Sequence, residues 1–262
     1  MLQKLMALEW MKMRKYKAFW IMLGLFVLGF FGLVYIMYAI NNEAPTEMIG
    51  SFLDSFFRYP RIARLTAYMG SYMFIVLGIV LITQIANEFS YRTHRQNIID
   101  GLSRTQFINA KWQIVVLLSV FATLVHVGFT ALYALMGDGG TVSGFVSSLK
   151  YSLFFFLDSL SWLSVALIIT LWVKRSGLAI TLFMVYALVV ENSLAFGIKR
   201  SFESNLGEYF PINVADNLNP NVLAPFVNNS RPTEEIAVAV TCVYLVAFYI
   251  ISRRMIKRMD LK

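Results

Sequence analysis

Apolar residues come in six runs long enough to cross a membrane, at about 19–40, 66–87, 113–136, 149–173, 177–197 and 235–252. A hydrocarbon core of about 30 Å takes about 20 helical residues, which these runs supply. A β-barrel would show segments of roughly ten alternating residues instead, and the chain has none of them. The pattern therefore predicts an all-α polytopic membrane protein with six transmembrane helices, a single transmembrane domain over 1–262. The first run follows a basic start, as in a signal peptide. It is too long for a signal-peptide core and lacks a small-residue cleavage site, so it reads as a retained span.

Ahead of that run, MLQKLMALEWMKMRKYKAFW places Leu2, Leu5, Met6 and Met13 where they can share one helical face. Lys4, Lys12, Arg14, Lys15 and Lys17 provide cationic heads around it. Residues 1–18 thus predict an amphipathic helix in the membrane interface, with Trp10, Tyr16 and Trp20 at headgroup depth.

The polar segments differ in character. Residues 88–112 are dense in charge yet patterned as two short helices in water. Gly101 suits the end of the first, and Ser103 with Gln106 three residues on fits a capping box that opens the second. Ile98 and Ile99 give the first an apolar patch, with Arg92, Arg95 and Asn97 around it. A patch of apolar anchors with a charged rim is the pattern of a docking surface. Residues 137–147 read as a Gly-rich turn. Residues 198–234 are long, and Pro211, Pro220 and Pro225 break their apolar stretches into brief helices.

Charge decides the orientation. With the N-terminus in the cytoplasm, the segments 1–18, 88–112, 174–176 and 253–262 hold five, four, two and five Lys and Arg residues. The opposite segments hold the remaining 7 of the 23, so both termini are expected inside. The net charge of +8 is mostly this topology bias, which removes nucleic acid as a partner. The single Cys242 lies in an apolar run, so no disulfide framework or metal cluster is expected.

Catalytic patterns are absent: the chain has no HExxH, no GxSxG and no GxxxxGK(S/T) phosphate loop. No catalytic residue, metal or bound cofactor is therefore expected. Ionisable and strongly polar groups inside spans are costly and usually face a bundle interior or a wet cavity. Asp158, His126, Glu191 and Gln84 are such groups, and they fit either a polar substrate path or interhelical hydrogen bonding. The residues alone leave open an ATP-independent channel or secondary carrier, and a complex that transmits force without carrying cargo.

The pattern Glu88-(x)2-Tyr91-Arg92-Thr93-(x)4-Ile98-Ile99-(x)-Gly101-Leu102-Ser103-Arg104-(x)6-Lys111 resembles the first cytoplasmic loop of permease subunits of type-2 ABC exporters. Tyr91-Arg92-Thr93 stands where many members carry Gly-Thr. The start LEWMKMRKYKAFW is similar to their N-terminal connecting helix. The six-span layout and the Tyr209-Phe210-Pro211 element in a long last outer segment match as well. The resemblance implies an exporter of a hydrophobic or amphipathic substrate, working as two permeases with two copies of a separate cytosolic ABC ATPase. ATP and Mg would be bound by that partner. The second permease is the same chain or a different one, and membrane lipid surrounds the complex. It further implies a multi-pass protein of a prokaryotic inner (cytoplasmic) membrane. The loop would be the coupling element, carried by Glu88, Arg92, Arg95, Asn97, Ile98, Ile99, Asp100, Gly101, Ser103 and Arg104.

Overall fold

The computed structural model describes residues 2–43, 55–91, 93, 102–136, 141–219, 221 and 231–258, with only the backbone of 2–5, 8, 42 and 43. Ten helices carry the described chain: α1 (Leu2–Lys15), α2 (Lys17–Glu43), α3 (Arg61–Ser71), α4 (Phe74–Ser90), α5 (Arg104–Met136), α6 (Val142–Val173), α7 (Ser176–Val185), α8 (Glu191–Phe202), α9 (Pro211–Asp216) and α10 (Glu234–Arg258). No strand occurs among the described residues.

Five helical units are long and apolar enough to span a membrane: α2, α5, α6, α7 running into α8, and α10. The sixth is α3 with α4, bent by 45° where Tyr72 and Met73 separate them. The expected span at 66–87 is therefore a broken one that begins at Arg61. Polar starts lengthen other spans at their ends. The side chain of Thr141 accepts a hydrogen bond from the Gly144 amide (3.2 Å), so α6 begins inside the expected Gly-rich turn of 137–147. A π-helical turn at Tyr186–Val190 joins α7 to α8. Such a turn rotates the helix beyond it, and here it brings Glu191 inward between exposed Val190 and Asn192.

Helix α6 is the centre of the bundle: 67% of its most apolar stretch is buried, against 17% in α10. It packs on α3, α4, α5, α7, α9 and α10. Small residues let its neighbours come close, because lipid supplies no hydrophobic drive between helices and tight packing must do so. The hydroxyls of Ser148, Ser159, Ser164 and Thr170 on α6 bond back to the carbonyls of Phe145, Phe156, Leu160 and Ala166. Buried Phe26, Phe30, Phe74, Phe155 and Phe183 fill the gaps between the helices.

Two glycines make that aromatic packing possible. A Cβ on Gly78 would lie 2.3 Å from the Phe183 ring, and one on Gly70 would lie 2.4 Å from Phe30. Gly78→Ala is expected to lower stability by about 1–3 kcal/mol through overpacking, read as a lower thermal unfolding midpoint in detergent. Gly24→Ala, with nothing within 4 Å, should leave the midpoint unchanged or slightly higher.

Candidate functional site

At the end of the bundle that carries α1 and the last turns of α10, two acids and two lysines come together. Glu9 and Lys12 lie on α1, Glu88 near the end of α4, and Lys111 two turns into α5. Lys111 Nζ donates to Glu88 Oε1 at 2.6 Å and to Glu9 Oε1 at 2.9 Å. Lys12 Nζ reaches the same two oxygens at 3.1 Å each. The Lys111 side chain is 0% exposed, with its ammonium 4.9 Å from the Phe107 ring. Residues 88 and 111, expected in water, are thus internal, because each charge finds opposite partners from α1.

Burial alone would raise the Glu9 carboxyl, but Lys111 and Lys12 together outweigh it and hold the group below its usual range. Burial lowers Lys12, and Glu88 and Glu9 reverse that into a raised value. The signs set the pH window. The Glu9 contribution is complete above the ordinary carboxylate range and is lost as pH falls through its lowered folded value. The Lys12 contribution is complete below the ordinary lysine range and is lost as pH rises through its raised value.

Beside this cluster the expected capping box forms in full. The Ser103 amide donates to Gln106 Oε1 (2.7 Å), and the Gln106 amide donates to Ser103 Oγ (3.2 Å). The short second helix of the loop is the first turns of α5, continuous with the span. Arg104 Nη1 donates to the Lys257 carbonyl at 2.5 Å, placing a cation at the carbonyl end of α10. Two further bonds, Trp112 to Ser252 and Tyr249 to Asn109, each 3.0 Å, join α5 to α10. Of the loop residues singled out in the sequence, Glu88, Ser103 and Arg104 belong to this frame. Arg92, Arg95, Asn97, Ile98, Ile99, Asp100 and Gly101 lie outside the described residues.

The intramembrane polar residues divide. Glu191 Oε1 accepts from the amides of Ile212 (2.7 Å) and Asn213 (2.8 Å), so a span carboxyl caps the start of α9. Asp158 Oδ2 accepts from Asn219 Nδ2 (2.9 Å), and its carboxyl meets that of Asp216 at the end of α9. Trp162 Nε1 donates to Asp216 Oδ1 (2.8 Å), and Ser161 Oγ donates to the Pro211 carbonyl (3.0 Å). Burial pushes the Asp216 carboxyl up, to about 7. Asp158 and Glu191 therefore meet at one short helix, at the bundle end opposite the charge cluster. His126 is separate. Its ring stacks on Phe155 at 4.7 Å, and Nε2 lies 3.1 Å from both the Thr66 hydroxyl and the Ala63 carbonyl. Gln84 is half-buried on α4.

Sequence reasoning missed Glu9, Lys12, Lys111 and Asp216 as site residues. Glu9 had a signal, as the one acid on an otherwise cationic amphipathic helix. Asp216 had none, since its partners lie in another span.

A bundle of six apolar crossings of this kind defines a multi-pass membrane protein. A family model described as "ABC-2 family transporter protein" matches residues 5–190, and the chain belongs to that family of membrane transporters. A search of curated proteins found no match. The matched region holds the whole charge cluster and ends one residue before Glu191.

Lys111→Met leaves two buried carboxylates with Lys12 alone between them, one negative charge uncompensated, and is expected to cost about 3–5 kcal/mol, seen as a lower unfolding midpoint at pH 7. Glu9→Gln should flatten the fall in stability on the acid side, measured by thermal unfolding across pH 3–7. An unchanged acid limb would show that Glu9 is not depressed in the fold.

Proposed function

We propose that this chain is the transmembrane permease subunit of an ATP-driven exporter, coupled through its first cytoplasmic loop to a separate cytosolic ATPase. Two ATPase copies, carrying ATP and Mg, act on a pair of permease chains in the inner (cytoplasmic) membrane of a prokaryote. The end with α1 and the last turns of α10 faces the cytoplasm, and cargo moves outward.

The observation that carries this reading is the four-charge cluster. It ties the residue that enters the loop, Glu88, to the residue that leaves it, Lys111, and both to α1. A force applied to residues 92–101 then reaches α1, α4 and α5 together, and through Arg104 it reaches α10. Buried ion pairs suit this task, since they resist separation even where they add little net stability. In this reading Arg92, Arg95 and Asn97 supply the polar rim toward the ATPase, and Ile98 and Ile99 supply its apolar anchors.

The test is reconstitution with the cytosolic ABC ATPase that co-purifies with the chain. The double variant Arg92→Glu/Arg95→Glu should lower ATP-driven flux at least about tenfold, in line with loss of interface charge pairs, while the permease retains its unfolding midpoint. Flux by the isolated chain that ignores ATP, or full coupling in that variant, would overturn the proposal.

A further inference from the structure

At the end opposite the charge cluster, a cavity of about 480 Å³ opens between α3, α4, α6, α8 and the segment around α9. Its position follows from the bent α3–α4 span and from the outer turn lying flat on α8. A Cβ on Gly207 would come 2.3 Å from the Ala195 backbone, so only glycine lets that turn approach.

The wall carries two unmet hydrogen-bonding demands. Asn219 is 4% exposed, and its amide nitrogen is committed to Asp158, yet among the described residues its buried Oδ1 has no donor. Buried Arg231 Nε likewise has no acceptor among the described residues. Such groups are destabilising when unsatisfied, the more so when charged. Tyr68 lies within electrostatic reach of both Arg231 and Asp216, so opposite charges flank one part of the cavity. Two acids, Asp216 and Glu208, and two bases, Arg231 and Lys199, line it altogether. Acids and bases thus line the same cavity, so a ligand carrying both signs of charge suits it better than a simple anion. The ligand must bring an anionic acceptor to Arg231 and an N–H donor to Asn219.

The same cavity is not closed to the membrane side. Leu188 and Phe196 form part of its wall and are 50% and 67% exposed. A ligand with an apolar tail can therefore seat its head among the polar groups and lay the tail along these side chains.

We infer that this cavity binds the headgroup of a zwitterionic phospholipid carrying a primary ammonium, its phosphate on Arg231, its ammonium N–H on Asn219, and its acyl chain along Leu188 and Phe196. A quaternary ammonium has no N–H to give Asn219, so phosphatidylcholine is the discriminating control. The site does not depend on ATP coupling and is tested without any partner.

The experiment uses the full chain in nanodiscs with a photoactivatable phosphatidylethanolamine. Labelling should map to peptides containing Tyr72 or Phe196. Unlabelled phosphatidylethanolamine should compete at least about tenfold better than phosphatidylcholine, as expected for one charge-assisted hydrogen bond. Arg231→Gln should weaken labelling about tenfold at an unchanged unfolding midpoint. Phe196→Ala, on an exposed apolar position, should weaken it with no effect on the fold. Equal competition by phosphatidylcholine, or undiminished labelling of Arg231→Gln, would overturn the site. Competition by tail-free glycerophosphoethanolamine as strong as by the lipid would overturn the membrane as the ligand's source.

Discussion

Lys111 is wholly buried, and nearly everything at its end of the bundle depends on how that charge is satisfied. An ammonium removed from water costs several kcal/mol unless carboxylates surround it. Glu9 and Glu88 supply those carboxylates from two other helices, and Lys12 balances the second negative charge. Glu9, Glu88 and Lys111 are each too buried to be tolerable there alone, so α1, α4 and α5 are obliged to meet in one arrangement. The N-terminal helix is thereby more than an interfacial anchor. It is keyed to the loop on which the proposed ATPase would act.

The opposite end is organised by the same rule with different chemistry. There, buried carboxyls are satisfied mostly by neutral donors: the amides of Ile212 and Asn213, the Trp162 indole and the Asn219 side chain. These bonds hold the short α9 between α6 and α8. Because α6 also packs on α3, α4, α5, α7 and α10, the α9 clamp and the charge cluster are connected through one central span. The family match reaches from the cluster to the edge of the clamp, residues 5–190, while α8, α9 and the polar cavity lie largely beyond it.

Much of the fold was legible because its signals are local. Span length, the basic first helix and the Ser103–Gln106 box each depend on residues within one or two turns of one another. Residues 92–101 were legible only as a pattern, and the described residues that flank them, Glu88, Ser103 and Arg104, are held by α1, Gln106 and α10. The π-turn before Glu191 and the bend at Tyr72–Met73 had no comparable signal, since apolar sequence is compatible with straight or bent helix alike. For Asp158, Glu191 and His126 the sequence left both a polar path and interhelical bonding open. Their partners, Asn219 and Asp216, the α9 amides, and Thr66 with Ala63, belong to other elements.

The sequence by itself determined where the chain crosses the membrane, since hydropathy summed over about 20 residues settles that without reference to any other segment. It also marked Ser103 as the start of a helix, through the capping box it forms with Gln106. Only the tertiary structure decided which polar groups pair. Glu9 and Lys111 are 102 positions apart and Asp158 and Asn219 are 61 apart, and no periodicity links residues at such separations. In a low-dielectric interior a buried polar group is costly without a partner, and which partner it finds is set by how the helices pack.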